Sequence, residues 1–270
     1  MAQTTQEHHF AGATTDITYR VWPNSGARQV VVLAHGYGEH VGRYEDVAGF
    51  LAHRGGVVAA PDHAGHGRSG GERVLIEDYE PVVDDLHTVV TRMRAEHPGL
   101  PVALVGHSMG AMIAARYAQR HRDELACLVL SGPVLGSWKA TTDLLAAEEI
   151  PNDPLDVSTL SRDPEVGRVY AEDPLVWHGP FKRPTLEALD RALKVINDGP
   201  KLTGLPTLWL HGADDRLVPI EETRAGLETL EFDPLITHVY DEARHEVFNE
   251  TNSHEVLATM AAFIDANTGG

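Results

Sequence analysis

The stretch Pro101-Val102-Ala103-Leu104-Val105-Gly106-His107-Ser108-Met109-Gly110-Ala111-Met112-Ile113 decides how this chain folds. Pro101–Val105 is a continuous apolar run, the mark of a strand buried on both faces of a parallel sheet. Ser108–Arg120 reads as a helix, with Met112, Ile113 and Tyr117 on its apolar side. The chain must turn sharply between the two. Gly106-His107-Ser108-Met109-Gly110 is a G-x-S-x-G turn, which lifts its serine from the top of a sheet to the positive end of the following helix. The two glycines relieve the crowding such a turn creates. Ser108 is therefore a candidate nucleophile. The bland alternative is a tight turn whose serine only caps the helix.

The same alternation runs outward in both directions. Upstream, Ile17–Trp22 is β-rich and Gln29–Ala34 reads as a buried strand. Arg43–His53 has helical spacing and is stopped by Gly55-Gly56, and Gly56–Ala60 is a short strand stopped by Pro61. Asp78–His97 places Val82, Val83, Leu86, Val89, Val90 and Met93 on one helical face, and Leu125–Leu130 is again a strand. Beyond Gly132 the pattern breaks, because Pro133, Pro151, Pro154, Pro164, Pro174, Pro180 and Pro184 leave only short helical pieces. It resumes with a strand at Leu205–Leu210, a helix at Glu221–Leu230, a strand at Leu235–Tyr240 and a helix at His254–Ala266. These elements predict an α/β domain with a mostly parallel central sheet and helices on both faces. Its core is split into 1–132 and 186–270, with a mainly helical cap, 133–185, inserted over the carboxyl edge where open α/β sheets bind ligands.

A serine hydroxyl needs a base, and in this arrangement the chain order is serine, then an acid, then histidine. The acid should follow a strand beyond the insertion. There Asp214 and Asp215 compete. Asp215 is favoured because Arg216-Leu217-Val218-Pro219 follows it, and Asp214 reads as a loop-capping or solvated carboxylate. The base should lie between the last strand and the last helix, where His245 sits. His238 falls inside the strand and His254 at the start of the helix, so position separates them, whereas presence means little in a chain with 16 histidines. Two backbone donors are needed for an oxyanion. The N–H of Met109 is one candidate. The other is the N–H of Tyr37, in His35-Gly36-Tyr37-Gly38 after the strand Gln29–Ala34. The Tyr37 side chain could equally form a pocket wall.

Composition narrows the partners. Among 270 residues, 40 acidic against 22 basic side chains leave a formal net charge of −18, which disfavours nucleic acid and anionic lipid heads. Cys127 is the only cysteine, so no intrachain disulfide is possible, and its apolar neighbours mark it as a small buried hydrophobe. Residues 1–20 contain no secretory apolar core and no run is long enough to span a bilayer, which predicts a cytoplasmic or peripherally membrane-associated protein. No Cys/His cluster or zinc-binding helix signature stands out, so no metal and no organic cofactor is expected.

Four segments carry a resemblance that spans most of the chain. They are His35–Tyr44, Pro61–Ser69, Gly106–Gly110, and Ser161-Arg162-Asp163-Pro164 followed by Asp173-Pro174-Leu175. Together they resemble the monoacylglycerol lipases and related lysophospholipase-like hydrolases of the α/β-hydrolase fold, with bacterial and mycobacterial members nearest. Ala111 stands where the family often has a second glycine after the elbow. The resemblance implies a cap forming an apolar acyl tunnel with a lipid-facing rim, and it implies that Glu39, Arg43 and Tyr170 approach the glycerol moiety. On the residues alone, Glu39 and Arg43 could be a structural ion pair and Tyr170 a cap core residue. Val134, Leu135, Trp138, Leu144, Leu145 and Ile150 could line such a tunnel, or simply pack the cap onto the sheet.

The expected chemistry is hydrolysis of a monoacylglycerol to fatty acid and glycerol through an acyl-enzyme on Ser108. Within enzymes the rivals are a lysophospholipase, a general carboxylesterase or a cofactor-free perhydrolase. Outside enzymes the rival is a hydrolase-fold ligand-binding protein, which would have no need of all three of Ser108, Asp215 and His245.

Overall fold

A computed structural model describes residues 4–269. Its strands are β1 (Gln6–Ala11), β2 (Asp16–Trp22), β3 (Gln29–Ala34), β4 (Gly56–Pro61), β5 (Val102–His107), β6 (Cys127–Ser131), β7 (Thr203–Gly212) and β8 (Asp233–Tyr240). They form one sheet in the order β1-β2-β4-β3-β5-β6-β7-β8. Only the β1–β2 and β2–β4 pairings are antiparallel; the pairings from β4 through β8 are parallel. The helices are α1 (Glu45–His53), α2 (Glu80–Glu96), α3 (Met109–His121), α4 (Lys139–Ala146), α5 (Pro164–Glu172), α6 (Arg183–Asn197), α7 (Ile220–Leu230) and α8 (Ser253–Thr268). The sequence reading of an α/β-hydrolase architecture holds.

The four central strands β3, β4, β5 and β6 are buried at every residue, which is why their sequences are apolar runs without alternation. The pleat still sorts their side chains. Val30 and Val32 pack with α2, α3, α6 and α7 on one face, and Val31 and Leu33 with α1 and α8 on the other. Each such fully buried side chain contributes about 1.5–3 kcal/mol, so the two cores fix the register of the sheet.

The inserted region behaves differently. Val134 and Leu135 pack into the main core, as do Ala188, Leu189, Leu193 and Ile196 of α6. Between them lie α4, a single turn at Val157–Thr159 and α5, with a small apolar cluster of their own built on Leu160, Tyr170 and Val176. Leu144, Leu145 and Ile150 are only half-buried. No helix among the described residues is long and apolar enough to cross a membrane.

The strand order also places the site. After β3 the chain moves outward to β4, then crosses back to β5 on the other side of β3. The reversal leaves a crevice between the carboxyl ends of β3 and β5, and ligands of open α/β sheets bind in such a crevice. The loop after β3 and the turn after β5 are the two oxyanion segments inferred from the sequence.

Candidate active site

Ser108 stands between β5 and α3 with φ 55° and ψ −119°, a conformation that L-residues rarely adopt. Tight packing around the turn enforces it. A Cβ on Gly106 would come within 2.5 Å of Ala111 Cα, and one on Gly110 would collide with the backbone of Ala34 and His35. Both glycines are therefore steric requirements, and the second lets α3 press against the end of β3. The Ser108 backbone is pinned to β6, its N–H donating to the Ser131 carbonyl over 2.9 Å.

The candidate acid and base arrive on two loops sewn together beyond β7 and β8. The N–H of Ala213 donates to the Tyr240 carbonyl and that of Asp214 to the Ala243 carbonyl, each over 2.9 Å. This brings His245 Nδ1 to 2.8 Å from Asp215 Oδ2, with both side chains buried. The other Asp215 oxygen, Oδ1, accepts the N–H groups of Leu217 and Val218, each at 2.9 Å. Burial alone would raise the Asp215 pKa, but His245 and these donors hold it below the usual carboxylate value. Burial is the largest single effect on His245 and would lower its pKa, but the charge and hydrogen bond of Asp215, with the charges of Glu246 and Glu39, together raise it above the ordinary histidine value. Asp214 instead faces Arg216 in a half-exposed pair, and His238 is exposed on the edge strand β8.

Ser108 and His245 line the same cavity of about 380 Å³, within the range of small-molecule pockets. No hydrogen bond joins Ser108 Oγ to His245 among the described residues. Such bonds are often long in unliganded sites and tighten on substrate.

The loop after β3 reaches this cavity through Gly36, where a Cβ would lie 3.3 Å from Ser108 Cβ. The N–H of Tyr37 donates to no protein acceptor among the described residues. Met109 opens α3, so its N–H has no acceptor within the helix. The Tyr37 ring stacks on Phe181 with centroids 4.3 Å apart and forms one wall of the cavity. Beneath the loop, His35 and His63 brace each other: His35 Nε2 accepts the His63 N–H at 3.0 Å. Burial keeps both neutral, with pKa values held well below the ordinary histidine value. Asp62, fully buried, ties the Pro61–Ser69 loop by accepting the N–H groups of Val41 and Arg68. The second family-like segment is thus scaffolding for the first.

The structure brings Glu39 and Arg43 together beside His245, and adds a residue that sequence reasoning missed. Arg43 Nη1 lies 2.6 Å from Glu39 Oε2 and 2.7 Å from Glu246 Oε1, while Nη2 reaches Glu246 Oε2 at 2.8 Å. Glu39 Oε1 also accepts the Gly36 N–H at 2.6 Å and the Tyr44 hydroxyl at 2.7 Å. Burial would raise both carboxyl pKa values, but Arg43 holds them down. The Arg43 guanidinium in turn lies 4.8 Å from the centre of the Tyr170 ring of α5. Glu39, Arg43 and Tyr170 all border the cavity. Nothing in the sequence distinguishes Glu246 from a solvated charge, because its partner is Arg43, far upstream.

Trp138, Leu155, Val157 and Trp177 from the inserted region form much of the apolar wall. That region is tied to the base loop: the Glu246 N–H donates to the Leu160 carbonyl over 2.8 Å, and Arg162 Nε lies 2.9 Å from Glu250 Oε2.

Outside the cavity, His87, His121 and Glu124 place one ring nitrogen each and a carboxylate oxygen within 4.8 Å of one another. This group lies at the far end of α3 from Ser108. Its Glu124 already accepts the Tyr117 hydroxyl at 2.6 Å and faces Arg94, so the hydrogen bonds there explain the cluster without an ion.

Comparison with known proteins places the chain in a family. The family model described as serine aminopeptidase, S33 (Hydrolase_4) matches residues 25–252. The chain is 38% identical to a monoacylglycerol lipase of Mycolicibacterium smegmatis, over 98% of each chain. It is 34% identical to a human monoglyceride lipase, over 88% of this chain and 84% of that one. The crystal structure of a Paleococcus ferrophilus monoacylglycerol lipase superposes with a TM-score of 0.77 at 25% identity, covering 98% of this chain and 100% of that one.

Proposed function

Since the chain belongs to the monoacylglycerol lipase family of serine hydrolases, we propose that it cleaves monoacylglycerols to free fatty acid and glycerol, with Ser108, Asp215 and His245 as its catalytic residues. The observation that supports this best is the buried Asp215–His245 pair opening on the same apolar cavity as Ser108.

His245 takes the Ser108 proton through its Nε2, and Ser108 Oγ attacks the ester carbonyl. The developing oxyanion is met by the N–H groups of Tyr37 and Met109, the latter at the positive end of α3. His245 then protonates the glycerol oxygen, and glycerol leaves. A water activated by the same His245 releases the fatty acid. His107, whose ring lies 4.8 Å from that of His245, has its pKa lowered to about 4, by burial first and by His245 second. A neutral neighbour adds no opposing positive charge, so the carboxylates around the base, Asp215 first and then Glu246 and Glu39, act on it unopposed. The reaction needs no group beyond these side chains and water.

Segment 133–185 acts as the cap. Its apolar wall takes the acyl chain, where each buried CH₂ contributes roughly 0.8 kcal/mol. Leu155 and Val169 are exposed on it, at 40% and 47%, and suit shallow contact with a lipid interface. Glu39, Arg43 and Tyr170 mark the polar end, for the glycerol.

The test is hydrolysis of monoacylglycerols of increasing acyl length, compared with triacylglycerols and lysophospholipids, by the wild type and by Ser108→Ala. Monoacylglycerols should be cleaved fastest and Ser108→Ala should lose turnover while keeping its fold. Undiminished hydrolysis in Ser108→Ala, or a preference for lysophospholipid, overturns the assignment.

A further inference from the structure

His211 is completely buried near the end of β7, four residues before the acid, and has no part in the mechanism above. Its two ring nitrogens have partners that dictate where its proton sits. The Trp209 indole N–H, which can only donate, points at His211 Nδ1 over 3.1 Å. The Val218 carbonyl, which can only accept, lies 2.9 Å from His211 Nε2. The ring must therefore be neutral and carry its proton on Nε2. Burial favours the same state, since the His211 pKa is lowered although Asp215 works against the shift.

The chain of donors continues to the acid. Val218 has its carbonyl held by His211, and its N–H, with that of Leu217, is aimed at Asp215 Oδ1. Nε2 of His211 also stands 3.4 Å from Asp215 Oδ2, the oxygen that accepts His245. We propose that His211 is a positioning residue for Asp215: in its enforced neutral tautomer it fixes the Leu217-Val218 peptide groups on one carboxylate oxygen and leaves the other turned to His245. A doubly protonated His211 would instead compete with His245 for Asp215, and the Trp209 indole excludes that form by occupying Nδ1. Other charged or titratable groups face this assembly. Glu246, Glu39 and His107 act on His245, and Arg224 of α7, which lies over the Trp209 ring, acts on His211.

This inference rests on the proposed hydrolase reading, and the test separates the two. Loss of activity and of fluorophosphonate labelling in Ser108→Ala checks the reading itself. His211→Gln and His211→Asn check the inference. A glutamine amide reaches the position of ring Nε2 and still donates to the Val218 carbonyl. An asparagine amide reaches only as far as Nδ1 and does not. With monoacylglycerol as substrate, H211Q should keep kcat within about threefold of wild type. Folded H211N should lose roughly tenfold or more in kcat with little change in KM. The acid limb of its kcat/KM profile should move to higher pH, because Asp215, released from a nearby donor, holds the proton on His245 more strongly. Equal kcat for H211Q and H211N, or an acid limb that stays fixed in H211N, overturns the inference while leaving the hydrolase reading intact. Should H211N not fold, H211Q decides alone: a tenfold loss in folded H211Q overturns the inference and near-wild-type turnover supports it.

Discussion

His245 donates its Nδ1–H to Oδ2 of Asp215 across 2.8 Å, and neither side chain is open to solvent. In the proposed mechanism this pair sets the pH dependence of the reaction. His245 must be neutral to take the Ser108 proton, so activity rises as pH rises through its pKa. Burial alone would put that pKa below 6.5, yet Asp215, helped by Glu246 and Glu39, raises it above that value. The acid limb of kcat/KM should therefore have its midpoint above 6.5 in the wild type. In Asp215→Asn the carboxylate charge is gone while burial stays, so any residual activity should titrate at lower pH. Its kcat should fall by about 10⁴, since the amide can hold the wrong tautomer. A pH–rate profile of both proteins checks the sign and the size.

Arg43 is the sole cation between Glu39 and Glu246 in the described site, and the three side chains are almost solvent-free. Replacing it with methionine keeps volume near the Tyr170 ring but strands two buried carboxylates. Breaking a buried pair in this way costs about 3–5 kcal/mol, far more than an exposed salt bridge is worth. Arg43→Met should lower the urea midpoint accordingly. Glu39→Gln, which keeps a hydrogen-bond acceptor for Gly36 and Tyr44, should lose less.

Much of this architecture was legible in the sequence, and the misses share a cause. The central strands announce themselves because burial on both faces demands continuous apolar runs. The order of the candidate serine, acid and base is readable because each follows the carboxyl end of a strand. β1 is not readable: Gln6–Ala11 is an edge strand with Phe10 as its only buried residue, so no alternation marks it. Glu246, Glu250 and His211 are invisible for a different reason. Each draws its role from a partner fixed by the fold: Arg43 for Glu246, Arg162 for Glu250, and for His211 the Trp209 indole and the Val218 carbonyl. A chain with 40 acidic side chains and 16 histidines offers no local signal to pick them out.

Glu250 shows how such a partner couples the proposed cap to the candidate base. Its Oε1 accepts the N–H groups of Arg244 and Arg162, at 2.8 and 3.1 Å, and its Oε2 accepts Arg162 Nε at 2.9 Å and the Thr251 N–H at 3.0 Å. One carboxylate therefore holds the residue before His245 and the segment leading into α5. Glu250→Ala leaves several donors unpaired, at about 1–3 kcal/mol for each one that stays buried. Hydrogen exchange should quicken together in 157–163 and 242–252, with the central strands unaffected. Faster exchange in only one of the two segments would show that they are not coupled through Glu250.

The strain at Ser108 yields a prediction in which two effects oppose. Its φ of 55° with ψ −119° is a region that glycine enters freely and other residues do not, at a cost on the order of 1–3 kcal/mol. Ser108→Ala removes the hydroxyl but keeps the Cβ, so the strain remains. Ser108→Gly removes both, while giving the unfolded chain extra freedom that costs about 0.4–1 kcal/mol. The strain is the larger of the two. Inactive Ser108→Gly should therefore be more stable than inactive Ser108→Ala, by roughly 1 kcal/mol in denaturant unfolding. The reverse order would mean that the packing of Gly106 and Gly110 against their neighbours, rather than strain in the serine backbone, dominates the energetics of the turn.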